Sequence, residues 1–182
     1  MSSNFISKYN AAPASPNDAV DDILQQWSEE RPELETAPLG VVIRVMALYR
    51  YFYRDASRAL LPLGLELWEY DVLSALRRQG RPFALAATRL ARETDLSGGA
   101  MTNRIDRLED RGLVRRKDDK DDRRSVIVVL TAEGRRVIDA AIQLRLDAAR
   151  ESLRGLSAAR QDELAGLLRT IVRSVGSGGR AT

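Results

Sequence analysis

Apolar residues recur every three or four positions along most of this chain, the spacing that places them on one face of a helix. Residues 1–16 lack the pattern, are rich in Ser, Ala, Asn and Pro, and are expected to form a disordered tail. In "NDAVDDILQQWSEERP", Val20, Ile23, Leu24 and Trp27 fall at i, i+3, i+4 and i+7, with Asn17 as a cap and Pro32 beyond the end. A helix of about a dozen residues is marginal alone, so this one must dock on something. "LGVVIRVMALYRYFYRDASRALL", Leu39 to Leu61, is apolar nearly all round and stops at Pro62. Leu65 to Gln79 predicts another helix closed by Gly80, and Ala86 to Glu93 a short one.

The stretch "DLSGGAMTNRIDRLEDRGLV" predicts a helix from Gly98 to Arg111, with Ser97 as N-cap and Gly112 just past its end. Met101, Ile105 and Leu108 form its apolar stripe. The period then changes. Leu113–Lys117 and Ser125–Leu130 predict two strands around a charged tip. Thr131 caps a long helix reaching about Arg154. Ser157 caps a last one to Val175, where Leu164, Leu167, Leu168, Ile171, Val172 and Val175 form a broad apolar face. The expected fold is mainly α with a small β-hairpin wing, a winged helix-turn-helix at 63–130. Residues 17–38 would be an added helix and linker, and 39–62 and 131–176 hold the long helices on either side of the winged helix-turn-helix.

Composition narrows the function. The chain has 182 residues, is 44% hydrophobic and 30% charged, and contains neither Cys nor His. Without them disulfides, thiolate sites, the usual general base and the commonest zinc ligand are gone, so no metal and no cofactor is expected. No apolar run nears membrane-spanning length and no signal-like start is present, so a cytoplasmic location without membrane contact is expected. The net charge is only +3, yet residues 77–124 hold 14 basic and 9 acidic side chains, whereas residues 1–40 hold 2 and 7. The positive excess surrounds the Gly98 helix, as a polyanion-binding module requires.

Over roughly Pro38 to Val175 the chain resembles the MarR family of transcriptional regulators. "LSGGAMTNRIDRLEDRGLV" and then "DDRRSVIVVLTAEGR" carry the resemblance, in order and at the family's distance. It implies a homodimeric DNA-binding regulator, most often a repressor, acting on a double-stranded operator, with 39–62 and 131–176 as N- and C-terminal dimerisation helices. Small Gly98 and Gly99, next to Ser97, would let the helix N-terminus approach a phosphate. Thr102, Asn103 and Arg107 would face the major groove, where Asn matches adenine and Arg matches guanine. Asp122, Arg123 and Arg124 match the family's wing-tip motif. An arginine there suits a narrow minor groove, and Asp122 would orient it. Arg115, Arg116, Lys117 and Lys120 would contact the DNA backbone.

Trp27, Asp71, Arg78 and Arg104 match the ligand-binding set of a urate-responsive subgroup of the same family. Asp71 and Arg78 lie seven apart on one flank of a helix, about 10 Å along its axis, with small Ser74 and Ala75 between. The resemblance implies a small anionic aromatic effector, urate or a related purine, with a phenolic carboxylate as the rival. Trp27 would stack on the ligand, Arg78 pair with it, and Asp71 be displaced by its charge. A structural ion pair between Asp71 and Arg78 is the plain alternative. Two other classes stand beside the effector-responsive regulator: an architectural DNA-binding protein without an effector, and an enzyme using Asp71 and Arg78 as an acid–base pair. The second lacks any phosphate-cradling glycine loop after a strand.

Overall fold

The computed structural model describes residues 17–94, 96–118 and 126–178. In chain order these form α1 (Ala19–Glu30), α2 (Ala37–Leu60), a 3-10 turn (Leu61–Leu63), α3 (Leu67–Arg78), β1 (Ala84–Ala86), α4 (Ala87–Glu93), α5 (Gly98–Asp110), β2 (Val114–Asp118), β3 (Val126–Leu130), α6 (Ala132–Ser152) and α7 (Ala158–Gly178). The chain divides into two compact units, the first ending at Arg58 and the second beginning at Ala59.

In the first unit α1 is held to α2 by charge as well as by apolar contact. Asp18, not Asn17, is the N-cap: its carboxylate accepts from the Val20 and Asp21 amides, while Asp21 accepts from the Asp18 amide. Arg44 of α2 donates to both Asp18 oxygens at 2.9 Å and to Asp21 at 2.7 Å. Val20 is buried, and the Leu24 side chain occupies the space that a Cβ on Gly40 would need, 2.7 Å away. The marginal helix therefore docks through its own capping carboxylates. Val41, Val42, Val45, Met46, Tyr49 and Phe52 of α2 remain exposed.

The second unit encloses the core. Leu73 and Leu76 of α3, Leu90 of α4, Met101, Ile105 and Leu108 of α5, Val128 of β3 and Ile138 of α6 are all within 1% of fully buried. Burying such a side chain contributes roughly 1.5–3 kcal/mol, which sets the apolar stripes as the positions that orient these helices. The sheet has the order β1-β3-β2, all antiparallel. The hairpin is thus completed by a third strand, Ala84–Ala86, that the sequence pattern did not announce. Three residues are too few to show alternation, and this strand exists because β3 offers it an edge. Thr131 caps α6, its hydroxyl accepting from Gly134 N–H and donating to the Gly112 carbonyl. Gly134 has no room for a side chain: a Cβ there would lie 2.0 Å from the Leu113 carbonyl oxygen. That contact seats the start of α6 against the start of the wing.

Candidate nucleic-acid interface

Helix α5 follows α4 after a four-residue turn, and its N-cap Ser97 accepts from the Ala100 amide at 3.4 Å. With Met101, Ile105 and Leu108 buried, the opposite face presents Gly99, Thr102, Asn103 and Asp106, all exposed. Among the described residues neither Gly98 nor Gly99 has a neighbour within 4 Å of an added Cβ, which leaves the helix N-terminus open on that side to an approaching anion. Thr102 donates its hydroxyl to the Gly98 carbonyl, leaving Asn103 as the exposed amide in the middle of the face.

Both flanks of α5 are clasped, and by opposite charge. On one flank Arg116 of β2 donates to Asp106 at 2.5 Å and to Glu109 at 2.6 Å, while Glu109 also accepts the Arg116 backbone amide at 2.8 Å. That amide first, then the guanidinium, holds the Glu109 carboxyl below its usual range despite some burial. Arg116, expected as a DNA backbone contact, ties the wing to the recognition helix in this structure. Arg115 and Lys117 point from the other face of β2, are exposed, and carry no ion pair among the described residues. Lys120, Asp122, Arg123 and Arg124 lie outside the described residues.

The other flank is basic and meets the N-terminal end of α3. Arg111 donates to both oxygens of Glu69 at 2.6 Å, a carboxylate whose side chain is only 2% exposed, and to the Gly64 carbonyl at 3.1 Å. Arg107 donates to Glu66 at 2.8 Å and lies 4.9 Å from the centre of the Trp68 ring. Arg104 lies over the same ring at 5.1 Å. So Arg107, expected to face the major groove, rests against α3 in this structure, and Trp68 is only half-buried and covered by two guanidinium groups. Glu66 and Glu69 were invisible as partners in the sequence. Their spacing of three beside arginines spaced by four is a usable sign only once α3 and α5 are known to be neighbours.

The expected effector residues are placed as follows. Trp27 lies on α1 of the first unit and is 45% exposed. Asp71, Arg78 and Arg104 belong to the second unit. The notch between Asp71 and Arg78 is not spanned by an ion pair: Arg78 donates to Ser74 Oγ at 2.9 Å and approaches Glu93 at 3.7 Å. Partial burial pushes the Asp71 carboxyl above its ordinary value, and the charges of Arg145, Arg104 and Arg78 oppose that rise without cancelling it. Arg145, from α6, went unnoticed in the sequence. It sits 5.6 Å from the Tyr70 ring centre, and its Nε–H is shielded from solvent without an acceptor among the described residues.

An open helix N-terminus and an exposed amide face on a second helix, flanked by a two-stranded wing, define a winged helix-turn-helix DNA-binding protein. The comparisons with known proteins agree. A family model described as "MarR family" matches residues 63–125. The HTH-type transcriptional regulator PecS of Dickeya dadantii is 32% identical over 149 residues, 82% of this chain and 90% of its own length. An HTH-type transcriptional repressor of Mycobacterium tuberculosis is 35% identical over 125 residues, 63% of this chain and 86% of its own. Among solved structures, a mutant MarR from Escherichia coli complexed with operator DNA superposes with a TM-score of 0.64 at 28% identity, covering 75% of this chain and 95% of that one. AbsC from Streptomyces coelicolor, a MarR family regulator, shares the fold with a TM-score of 0.69 at 23% identity, covering 79% and 97%.

The chain belongs to the MarR family and is a DNA-binding transcriptional regulator. Its relatives are named as transcriptional regulators, not enzymes. No described helix is long and apolar enough to cross a membrane.

Proposed function

We propose that this protein is a homodimeric repressor, released from a pseudo-palindromic operator by a small planar anion held at Asp71, Arg78 and Arg104. The observation that carries the effector site is the charge acting on Asp71: its partly buried carboxylate feels the guanidinium groups of Arg78 on α3, Arg104 on α5 and Arg145 on α6, and it forms no ion pair among the described residues. Such a cluster has positive charge to spare, and an anion is its complement. Arg145 joins the set through its unaccepted Nε–H. Because Arg104 stands on the recognition helix, a ligand that binds it better in one orientation of α5 shifts the population away from the DNA-bound form. Urate or a related purine anion is the proposed effector class, on the resemblance of Trp27, Asp71, Arg78 and Arg104 to the set of the urate-responsive subgroup.

The homodimer rests on the apolar face of α7, where Leu167, Val172 and Val175 are 61–71% exposed in the single chain. Two recognition helices related by a two-fold axis read half-sites about one helical turn, roughly 10 bp, apart. Repression follows the Mycobacterium relative, which is named as a transcriptional repressor. Titration of operator complexes with urate, xanthine and salicylate in a gel-shift assay tests the proposal. Release by urate or xanthine is expected, with the response lost in Arg78→Ala and Arg145→Ala. Release by salicylate alone moves the assignment to phenolic carboxylates, and no release by any of the three at millimolar concentration overturns the effector site.

A further inference from the structure

Arg107 follows Asn103 by one helical turn, so its Cα borders the face that meets DNA. Its guanidinium, however, rests on Glu66 at 2.8 Å and over the Trp68 ring. Glu66 is itself well anchored. Its amide donates to Glu69 at 2.9 Å, and its second carboxylate oxygen accepts the Trp68 indole N–H at 2.8 Å. Glu69 in turn is buried and bound to Arg111. The acceptor that takes Arg107 is therefore built into the end of α3, not a side chain met by chance.

The pair it forms is nonetheless open to water, with side chains 59% and 58% exposed. Exposed pairs of this kind are weak. A guanine edge offers Arg two acceptors in its own fork geometry, and a phosphate offers a stronger anion at close range. Either outbids an exposed carboxylate, but each must first take Arg107 away from Glu66. That step leaves an anchored negative charge unpaired beside a polyanion.

We propose that Glu66 is an affinity-setting residue of the DNA interface: anchored by Glu69 and Trp68, it competes with DNA for Arg107 and so holds binding below what the recognition helix could reach. Arg107 is a DNA contact in reserve. The competition lies within one subunit and needs neither an effector nor the wing tip. A regulator that must be dislodged gains from it, because a complex weakened in this way is easier to release.

The test is a double-mutant cycle on the full chain, with Glu66→Gln, Arg107→Ala and the combination. Two duplexes serve as probes: one selected for binding by the wild-type protein from a random pool, and a scrambled duplex of the same composition. Gln keeps an acceptor for the Trp68 indole, and thermal melts of all three variants establish that they fold. Glu66→Gln is expected to bind both duplexes more tightly, by about two- to fivefold per subunit, the range of an exposed ion pair. On the scrambled duplex its salt dependence should steepen by about 1, as Arg107 becomes a phosphate contact. In the Arg107→Ala background both effects should vanish. If Glu66→Gln leaves affinity unchanged or weakens it, Glu66 does not compete with DNA. A gain that persists without Arg107 also overturns the proposal, because it would come from removing a repulsive charge alone.

Discussion

Asp71 shows how one side chain records its surroundings. Its carboxyl is raised because partial burial disfavours the anion more than Arg145, Arg104 and Arg78 favour it. A carboxyl whose folded pKa exceeds its unfolded value binds protons more readily in the folded state. Its ionisation therefore costs stability as pH rises through the interval from about 3.8 to the raised value. Above that interval the cost is fully present, and below it the cost is absent. Asp71→Asn should accordingly raise the melting temperature at pH 7, with the gain fading as pH falls toward 3.8, the ordinary value for the side chain. Melts of both proteins across that range check it, and a gain that grows in acid would reverse the assignment. The sequence located Asp71 but not its electrostatic balance, because Arg145 lies 74 positions away in the chain and only folding brings it near.

At the scale of elements, the joints are made by few residues and should break singly. Asp18 caps α1 and also receives Arg44. Burial raises its carboxyl, yet Arg44 and the Val20 and Asp21 amides outweigh that and leave it lowered. A lowered carboxyl contributes stability above its unfolded value and loses it as pH falls through the folded one. Arg44→Ala should therefore free α1 from α2 while sparing the second unit. Hydrogen exchange is expected to quicken across Ala19–Glu30 and to stay unchanged in α5. At the other joint, Gly134→Ala would drive a methyl group into the Leu113 carbonyl, where backbone cannot yield cheaply. A loss of about 3 kcal/mol is expected in denaturant unfolding, the upper part of the range for overpacking. A near-neutral effect would mean that α6 and the wing shift apart without penalty.

For the whole molecule, the largest unsatisfied demand is apolar. Every residue of α7 from Leu167 to Gly176 is exposed, including Leu168, Ile171, Val172 and Val175. A helix with such a face is stable in water only when something covers it. The homodimer proposed above supplies that cover, and Leu168→Asp with Val172→Asp should convert the protein to a monomer in sedimentation at micromolar concentration. Operator affinity should fall steeply with it, because two half-sites would then be bound independently. A dimer that survives both substitutions would place the interface elsewhere.

The sequence by itself determined the helices, the wing strands, the winged helix-turn-helix order and the exposed face of α5. These follow from periodicity, from capping by Ser97 and Thr131, and from turn residues such as Gly112, all local signals that act within a few residues. It did not determine where the charged side chains go. Arg107 and Arg116 read as DNA contacts because each sits on the right element. Tertiary structure gave Arg107 to Glu66 and Arg116 to Asp106 and Glu109. It likewise formed β1 from three residues with no pattern of their own, and brought Arg145 into the field of Asp71. Burial of an apolar stripe is nearly independent of which neighbour covers it, so period alone reveals it. An ion pair needs a particular partner within about 4 Å, and distance along the chain says nothing about who that partner is.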